Sequence, residues 1–320
     1  MVEPVHNAVL IYNPVSGRRR KRRLAEIDDA GKILTDAGIT VEYAPTTEAG
    51  SATAFAQEAV ARRFSLVIAC GGDGTVNEII NGLAGSDVPL ALLPAGTANI
   101  LAKELGIPWD IPAAARLIPT SIPRRIALGC IPPQEQSETA GPPRAPRYFL
   151  SVGGSGPDGA IVNRVDARLK QNAGELAYWV EGFRQLLTYD FPLMHIESRE
   201  RTIDASLIVV GRSAEYGGPF KITSNASLFE DSFEIVAFST RSRLRYLFAL
   251  PALYFGKLRS VRGITAWKTT DVNCTPLAGG TLYAQVDGEP VGALPLRFRI
   301  VPDALTLLVP ASTEPAEHWR

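Results

Sequence analysis

The apolar positions of this 320-residue chain follow two different rhythms. In the first third, short continuous apolar runs alternate with helical spacing. Residues 8–12 (AVLIY) form a run that stops at Asn13-Pro14. Leu24, Ile27, Gly31 and Leu34 then recur at helical spacing and end before Gly38. Residues 40–44 read as a second strand and the Ala-rich residues 51–63 as a helix. A third strand, 66–70 (LVIAC), is halted by Gly71-Gly72. Residues 76–83 read as a helix, and the strand 89–93 is halted by Pro94-Ala95-Gly96. Continuous apolar strands separated by helices predict a parallel sheet covered on both faces. Such sheets take ligands at the carboxyl ends of their strands. Three of these four ends carry NPVSG, GGDGT or PAGTAN.

The rhythm changes after residues 131–146 (IPPQEQSETAGPPRAP), a polar, Pro-rich stretch that reads as a long hairpin loop. Beyond it, residues 148–152, 195–198, 206–210, 233–238, 281–286 and 296–301 are β-rich, and 173–187 and 244–255 read as helices. The expected fold is an α/β N-terminal domain over 1–128 and a mainly antiparallel β domain over 129–303. No internal repeat is visible.

Composition narrows the classes. Apolar residues make up 46% and charged residues 21%, as in ordinary globular proteins. Lys plus Arg and Asp plus Glu number 33 each, so no basic excess points to a nucleic-acid partner. No apolar run reaches the ~18–20 residues of a membrane span. The first residues lack a basic segment before their apolar run, so no secretory signal is expected. Cys70, Cys130 and Cys274 form no CxxC pair, and His6, His195 and His318 share no metal-site spacing. A reducing cytoplasm is the expected compartment.

GGDGT follows a strand and opens a helix. Its two leading glycines, Gly71 and Gly72, let backbone approach a ligand, and a helix N-terminus favours anions. Asp73 would repel a bare phosphate, so its charge makes sense with a divalent cation in between; the plainer alternative is a helix N-cap. Neither a GxxxxGK[ST] loop nor a GxGxxG fingerprint is present. In NPVSG, Ser16 and Gly17 offer a hydroxyl and an amide. The block Arg18-Arg19-Arg20-Lys21-Arg22-Arg23 follows, opposing the helix dipole unless an anion or acidic membrane offsets it; a solvated charge run is the alternative. In PAGTAN, Gly96 frees the backbone, and Thr97 and Asn99 supply hydrogen bonds. Thr46 and Thr47 line the same edge or simply fill a loop. Downstream, Asp287-Gly288-Glu289 reads as a hairpin turn and also as a carboxylate base for phosphoryl transfer. Asp231 is a cation ligand or a turn residue.

In this order, NPVSG, GGDGTVNE and PAGTAN resemble the diacylglycerol kinase catalytic-domain family, nearest to soluble bacterial lipid kinases and similar to sphingosine and ceramide kinases. ELAYWVEGFRQL at 175–186, YGGPFKI at 216–222 and DGE followed by LPLRFRIVPDALTLLVP match as well. The resemblance implies a nucleotide-binding α/β domain akin to NAD kinases and phosphofructokinases, and a β-sandwich that helps hold lipid. It also implies a last segment, 304–320, that returns to the first domain. It implies ATP and Mg2+ as cofactors. Asn13, Ser16, Gly17, Thr46, Gly71, Gly72, Asp73, Gly74, Thr75, Val76, Asn77, Gly96, Thr97 and Asn99 fall at nucleotide-loop positions. Glu289 matches the base, with Asp287 beside it and the choice between them open. A structural magnesium site is implied at Leu228, Asp231 and Phe233, and a catalytic magnesium near Asp73. Three features depart from the pattern: GGSGPDGAIV at 153–162, Asp231-Ser232 for the usual Asp-Gly, and the 131–146 excursion.

The resemblance implies a kinase that phosphorylates a lipid hydroxyl, with diacylglycerol giving phosphatidic acid as the leading substrate. Other acceptors are a sphingoid base or another lipid alcohol. An NAD kinase-like enzyme and a non-catalytic lipid-binding relative are the competing classes. The lipid is met at a membrane surface, so peripheral membrane contact is expected; a homodimer is compatible. Residues 244–258 (LRYLFALPALYFGKL) read either as an interfacial segment or as a core helix broken at Pro251.

Overall fold

The computed structural model describes residues 5–17, 20–133, 145–164, 188–214, 221–277 and 280–311. The helix expected over 173–187, most of the 131–146 excursion, residues 216–220 and the final nine residues lie outside that set. So do Arg18 and Arg19 of the basic block.

The chain divides into two compact units, Met1–Ala127 with Pro302–Arg320, and Leu128–Val301. In the first, β1 (Asn7–Tyr12), α1 (Arg20–Asp36), β2 (Thr40–Pro45), α2 (Ser51–Ala61), β3 (Leu66–Gly71), α3 (Asp73–Leu83) and β4 (Leu90–Pro94) alternate as the apolar rhythm predicts. The strands are parallel in the order β2-β1-β3-β4. Every residue of β3 and β4 is buried, which accounts for their unbroken apolar runs. β2 lies at the sheet edge and is mostly exposed, in line with its mixed sequence. In α1, Ile27 and Leu34 are buried, but Leu24 is exposed and does not join their stripe. Two short helices that the pattern did not resolve, α4 (Ile100–Glu104) and α5 (Ile111–Leu117), follow β4.

In the second unit a six-stranded antiparallel sheet has the order β12-β11-β10-β7-β14-β15. Its strands are β7 (Val152–Ser155), β10 (Leu207–Gly211), β11 (Phe233–Phe238), β12 (Ile264–Thr269), β14 (Tyr283–Val286) and β15 (Glu289–Ala293). A second antiparallel group joins β8 (Met194–Ser198), β9 (Thr202–Ala205) and β13 (Asp271–Pro276) to the start of β16 (Leu296–Val309). The aromatic core stacks Phe149 on Phe233 at 5.8 Å, with Phe298 edge-on to Phe149 at 6.1 Å.

Two strand expectations need correction. The run 148–152 is two strands, β6 (Arg147–Phe149), paired with the end of β5 (Ile122–Ile131), and β7, separated by a bend at Leu150 and Ser151. The amides of that bend turn to a carboxylate described below, so they leave the ladder. Conversely, β16 does not stop at residue 301. Asp303 takes a φ of 48°, and the strand continues through the Pro302-Asp303 pair to Val309, where Leu307 lies beside Leu90 of β4.

The three cysteines are free and buried. Burial pushes the Cys70 and Cys274 thiols up to about 12 and Cys130 up to about 11. They are protonated, inert core residues at neutral pH.

Candidate active site

Parallel pairing decides where the first unit's loops emerge. Tyr12 is level with Pro45 of β2 and with Cys70 of β3, and Gly71 is level with Pro94 of β4. The NPVSG, Thr46, GGDGT and PAGTAN segments therefore leave the sheet at one edge, its carboxyl edge. The Thr46 amide bonds the Tyr12 carbonyl at 2.8 Å, the Asn13 amide the Cys70 carbonyl at 3.0 Å, and the Ala95 amide the Gly71 carbonyl at 3.0 Å.

These loops are braced against one another. The Asp73 carboxylate accepts from the Asn99 amide at 3.1 Å and the Ile100 amide at 2.7 Å, tying GGDGT to PAGTAN. Gly72 and Gly96 meet so closely that a Cβ on Gly96 would run into the Gly72 backbone. Gly71 likewise has no room for a Cβ beside Thr75. Gly17, at φ 68°, lies against the Ala95 carbonyl. That same carbonyl accepts from the Ser16 hydroxyl at 3.3 Å and from the Arg23 guanidinium at 3.1 Å.

The predicted nucleotide residues thus divide by task. Asn13 accepts the Val15 amide at 3.0 Å and shapes the first loop. Asn99, in the left-handed region at φ 46°, accepts from the Gly96 amide at 2.8 Å and is buried. Asn77 is also buried, and its side-chain oxygen accepts from Asn81 at 2.8 Å. Thr97 and Gly74 are exposed at the edge, and Thr46, Gly72, Thr75 and Val76 are half-buried. The first turn of α3, with Gly72 as N-cap, brings its amides to that edge. Sequence reasoning grouped Arg23 with five other cations. Burial separates it, since it is 5% exposed and fastens the first loop.

In the second unit, Asp287 and Gly288 form the β14–β15 turn with φ of 47° and 74°, the pair of positive values that a tight hairpin requires. The Asp287 carboxylate accepts three backbone amides, Leu150 at 2.8 Å and Ser151 and Val152 at 2.9 Å each. This is the carboxylate that interrupts the 148–152 run. Glu289 is different: it pairs with the Arg147 guanidinium and is about a third exposed, at 34%. Arg147 went unnoticed in the sequence, 142 residues from its partner. Gln285 accepts from the Gly288 amide at 2.8 Å and donates to Asp158 at 2.7 Å. In the divergent GGSGPDG segment, Pro157 opens α6 (Pro157–Arg164), and a Cβ on Gly159 would strike the Tyr283 carbonyl. Asp158 is thereby held against Gln285.

The structural magnesium implied at Leu228, Asp231 and Phe233 does not fit the residues present. Arg212, 0% exposed, donates to the Leu228 carbonyl at 2.9 Å, to the Glu230 carbonyl, and at the limit of 3.5 Å to the Ser232 carbonyl. Its fixed positive charge takes the Leu228 carbonyl, one of the implied ligands, and would repel a cation beside it. Asp231 is exposed, and no group of three or more His, Cys, Asp or Glu able to hold a metal occurs among the described residues. The nucleotide-free protein is expected to melt within about 1 °C of the same temperature in EDTA and in magnesium chloride, since a ligand stabilises only where it binds. A saturable rise of several degrees with magnesium would restore a structural metal.

Comparison with known proteins agrees with this architecture. The family described as "Diacylglycerol kinase catalytic domain" matches residues 7–131, and the "YegS C-terminal NAD kinase beta sandwich-like domain" matches residues 151–309. The chain is 31% identical over 297 residues to a diacylglycerol kinase of Bacillus subtilis (strain 168), covering 91% of this chain and 92% of that protein. It is 29% identical over 297 residues to one of Staphylococcus aureus (strain bovine RF122 / ET3-1), covering 91% and 88%. A solved diacylglycerol kinase from Bacillus anthracis str. Sterne superposes with a TM-score of 0.74 at 22% identity, over 97% of this chain and 98% of that one. The chain belongs to the diacylglycerol kinase family and is a lipid kinase.

Proposed function

We propose that the protein transfers the γ-phosphoryl group of ATP to the hydroxyl of diacylglycerol, giving phosphatidic acid and ADP. The observation that carries this reading is the convergence of NPVSG, GGDGT and PAGTAN at one sheet edge, with the α3 N-terminus among them. Backbone amides of residues 71–75 hold the phosphates there, where helix-end amides favour negative charge. Thr97 and Thr46 border the nucleotide. Bound as its magnesium complex, ATP supplies the phosphoryl group. Asp73 would supply the carboxylate charge that faces that cation.

Glu289 takes the proton of the acceptor hydroxyl as the new P–O bond forms and the bond to ADP breaks. Arg147 pairs with Glu289 and holds its carboxylate in place. Asp287, with three amides on its oxygens, acts as the bracket that positions the turn. Phosphoryl transfer depends chiefly on positioning and charge stabilisation, which braced loops supply.

The test is transfer from radiolabelled ATP with magnesium to a panel of lipid alcohols in mixed micelles, with NAD alongside. Labelled phosphatidic acid from diacylglycerol is the expected product. A labelled sphingoid base or NAD instead would replace diacylglycerol as acceptor, and ATP binding without any product would retire the catalytic reading.

A further inference from the structure

The helix α7 (Arg243–Tyr254) is apolar on both of its faces. The inner face is accounted for. Tyr246 and Ala249 are buried against Phe191 and Phe238, with the Tyr246 ring 4.2 Å from Phe191 and 4.6 Å from Phe238. The Tyr246 hydroxyl bonds Ser206 at 2.8 Å. Pro251 does not break this helix, contrary to one of the two sequence expectations; the last turn closes past it, with Phe255 donating to the Pro251 carbonyl at 3.0 Å.

Among the described residues nothing packs over the outer face. Leu244, Leu247, Phe248, Tyr254 and Phe255 recur there at helical spacing and are 65%, 45%, 75%, 64% and 71% exposed. A contiguous stripe of large apolar side chains in water marks an interaction surface.

Charge identifies the occupant. Residues 241–262 contain six cations and no Asp or Glu, in a chain whose charges balance as a whole. Two of the six are used internally: Arg243 lies 3.6 Å from Asp190, and Arg259 pairs with the buried Glu234. Arg241, Arg245, Lys257 and Arg262, which flank or interrupt the stripe along the chain, are exposed. A second copy of the chain would bring an identical set of cations and repel itself. An apolar stripe flanked by cations matches instead the headgroup–acyl boundary of an anionic bilayer, where aromatic and Leu side chains enter and Lys and Arg stay with the phosphates.

We propose that the outer face of α7 is the surface by which the protein docks on anionic phospholipid membranes. The proposal deepens the lipid-kinase reading above, because a lipid acceptor is met at a bilayer. Its test reads binding without turnover, so either can fail alone.

The experiment is co-sedimentation of the full chain with vesicles, without nucleotide, comparing phosphatidylglycerol–phosphatidylcholine mixtures with phosphatidylcholine alone. The wild type is expected to favour the anionic vesicles at least about tenfold, with binding that falls as salt rises. The exposed double substitution Phe248→Ser with Phe255→Ser is expected to weaken that binding about 100-fold at an unchanged melting temperature. Arg245→Gln with Lys257→Gln is expected to erase the preference for anionic lipid. Unaltered binding by the Phe variant overturns the proposal, as does equal affinity of the wild type for neutral vesicles. So does a dimer in sedimentation velocity that the Phe substitutions dissolve, because the occupant would then be a second copy.

Discussion

Asp287→Asn is expected to lower the melting temperature by about 10 °C, while Glu289→Gln shifts it by less than about 2 °C. The two carboxylates sit two residues apart in one turn, yet their surroundings assign opposite consequences. Asp287 accepts three backbone amides at 2.8–2.9 Å. An Asn there keeps one acceptor oxygen and turns an NH2 group toward amides that already donate. Charge-assisted bonds of this kind are worth about 1.5–3 kcal/mol each, and the half-buried setting brings the net loss to about 3 kcal/mol. Glu289 touches Arg147 at a partly exposed pair, whose removal costs little stability. Its loss is expected instead in turnover, about 10²–10⁴-fold, with the ATP dissociation constant unchanged. Thermal melts and steady-state kinetics on both variants decide the matter. A stable, inactive Asp287→Asn beside an active Glu289→Gln would reverse the assignment.

Asp73→Asn is expected to reduce phosphoryl transfer by about 10²–10³-fold. The substitution removes the charge proposed to face the magnesium of ATP. It also sets an NH2 against the Asn99 or Ile100 amide and loosens the tie between two loops. The second effect is separable. Gly96→Ala keeps the Asp73 charge but pushes a Cβ into the Gly72 backbone. A variant that loses loop packing alone is expected to bind ATP more weakly, whereas Asp73→Asn also loses turnover at saturating ATP and magnesium. Near wild-type turnover in Asp73→Asn would remove the residue from the reaction.

The α/β half of the molecule was legible because its strands are buried on both faces. A strand such as 66–70, apolar throughout, announces itself, and the Gly and hydroxyl residues that end it announce the loop. The parallel order then collects those loops at one edge, so the candidate site follows from the same pattern. What the pattern does not carry is which polar group is spent on the protein itself. Asn13, Asn99 and Asp73 look like ligand contacts in sequence, yet each makes bonds that hold a loop. The β half was less legible for a related reason. Its breaks at residues 150–151 and its continuation past residue 301 depend on a distant carboxylate and on one left-handed Asp. Arg147 and Arg212 gave no local signal, because each takes its meaning from partners far along the chain. The exposed stripe of α7 was ambiguous in sequence, since inner and outer faces are both apolar and only packing tells them apart.

The buried Arg212 has a consequence for how such an enzyme weathers scarcity. A turn held by a dissociable ion comes apart when the ion is withdrawn, and the protein is then exposed to proteolysis. Here the cation is part of the polypeptide, inherited with it and impossible to dilute away. On the proposed ATP–magnesium reading, withdrawing magnesium would stop turnover while leaving this turn folded. Activity would return as soon as the ion does, with no new synthesis needed.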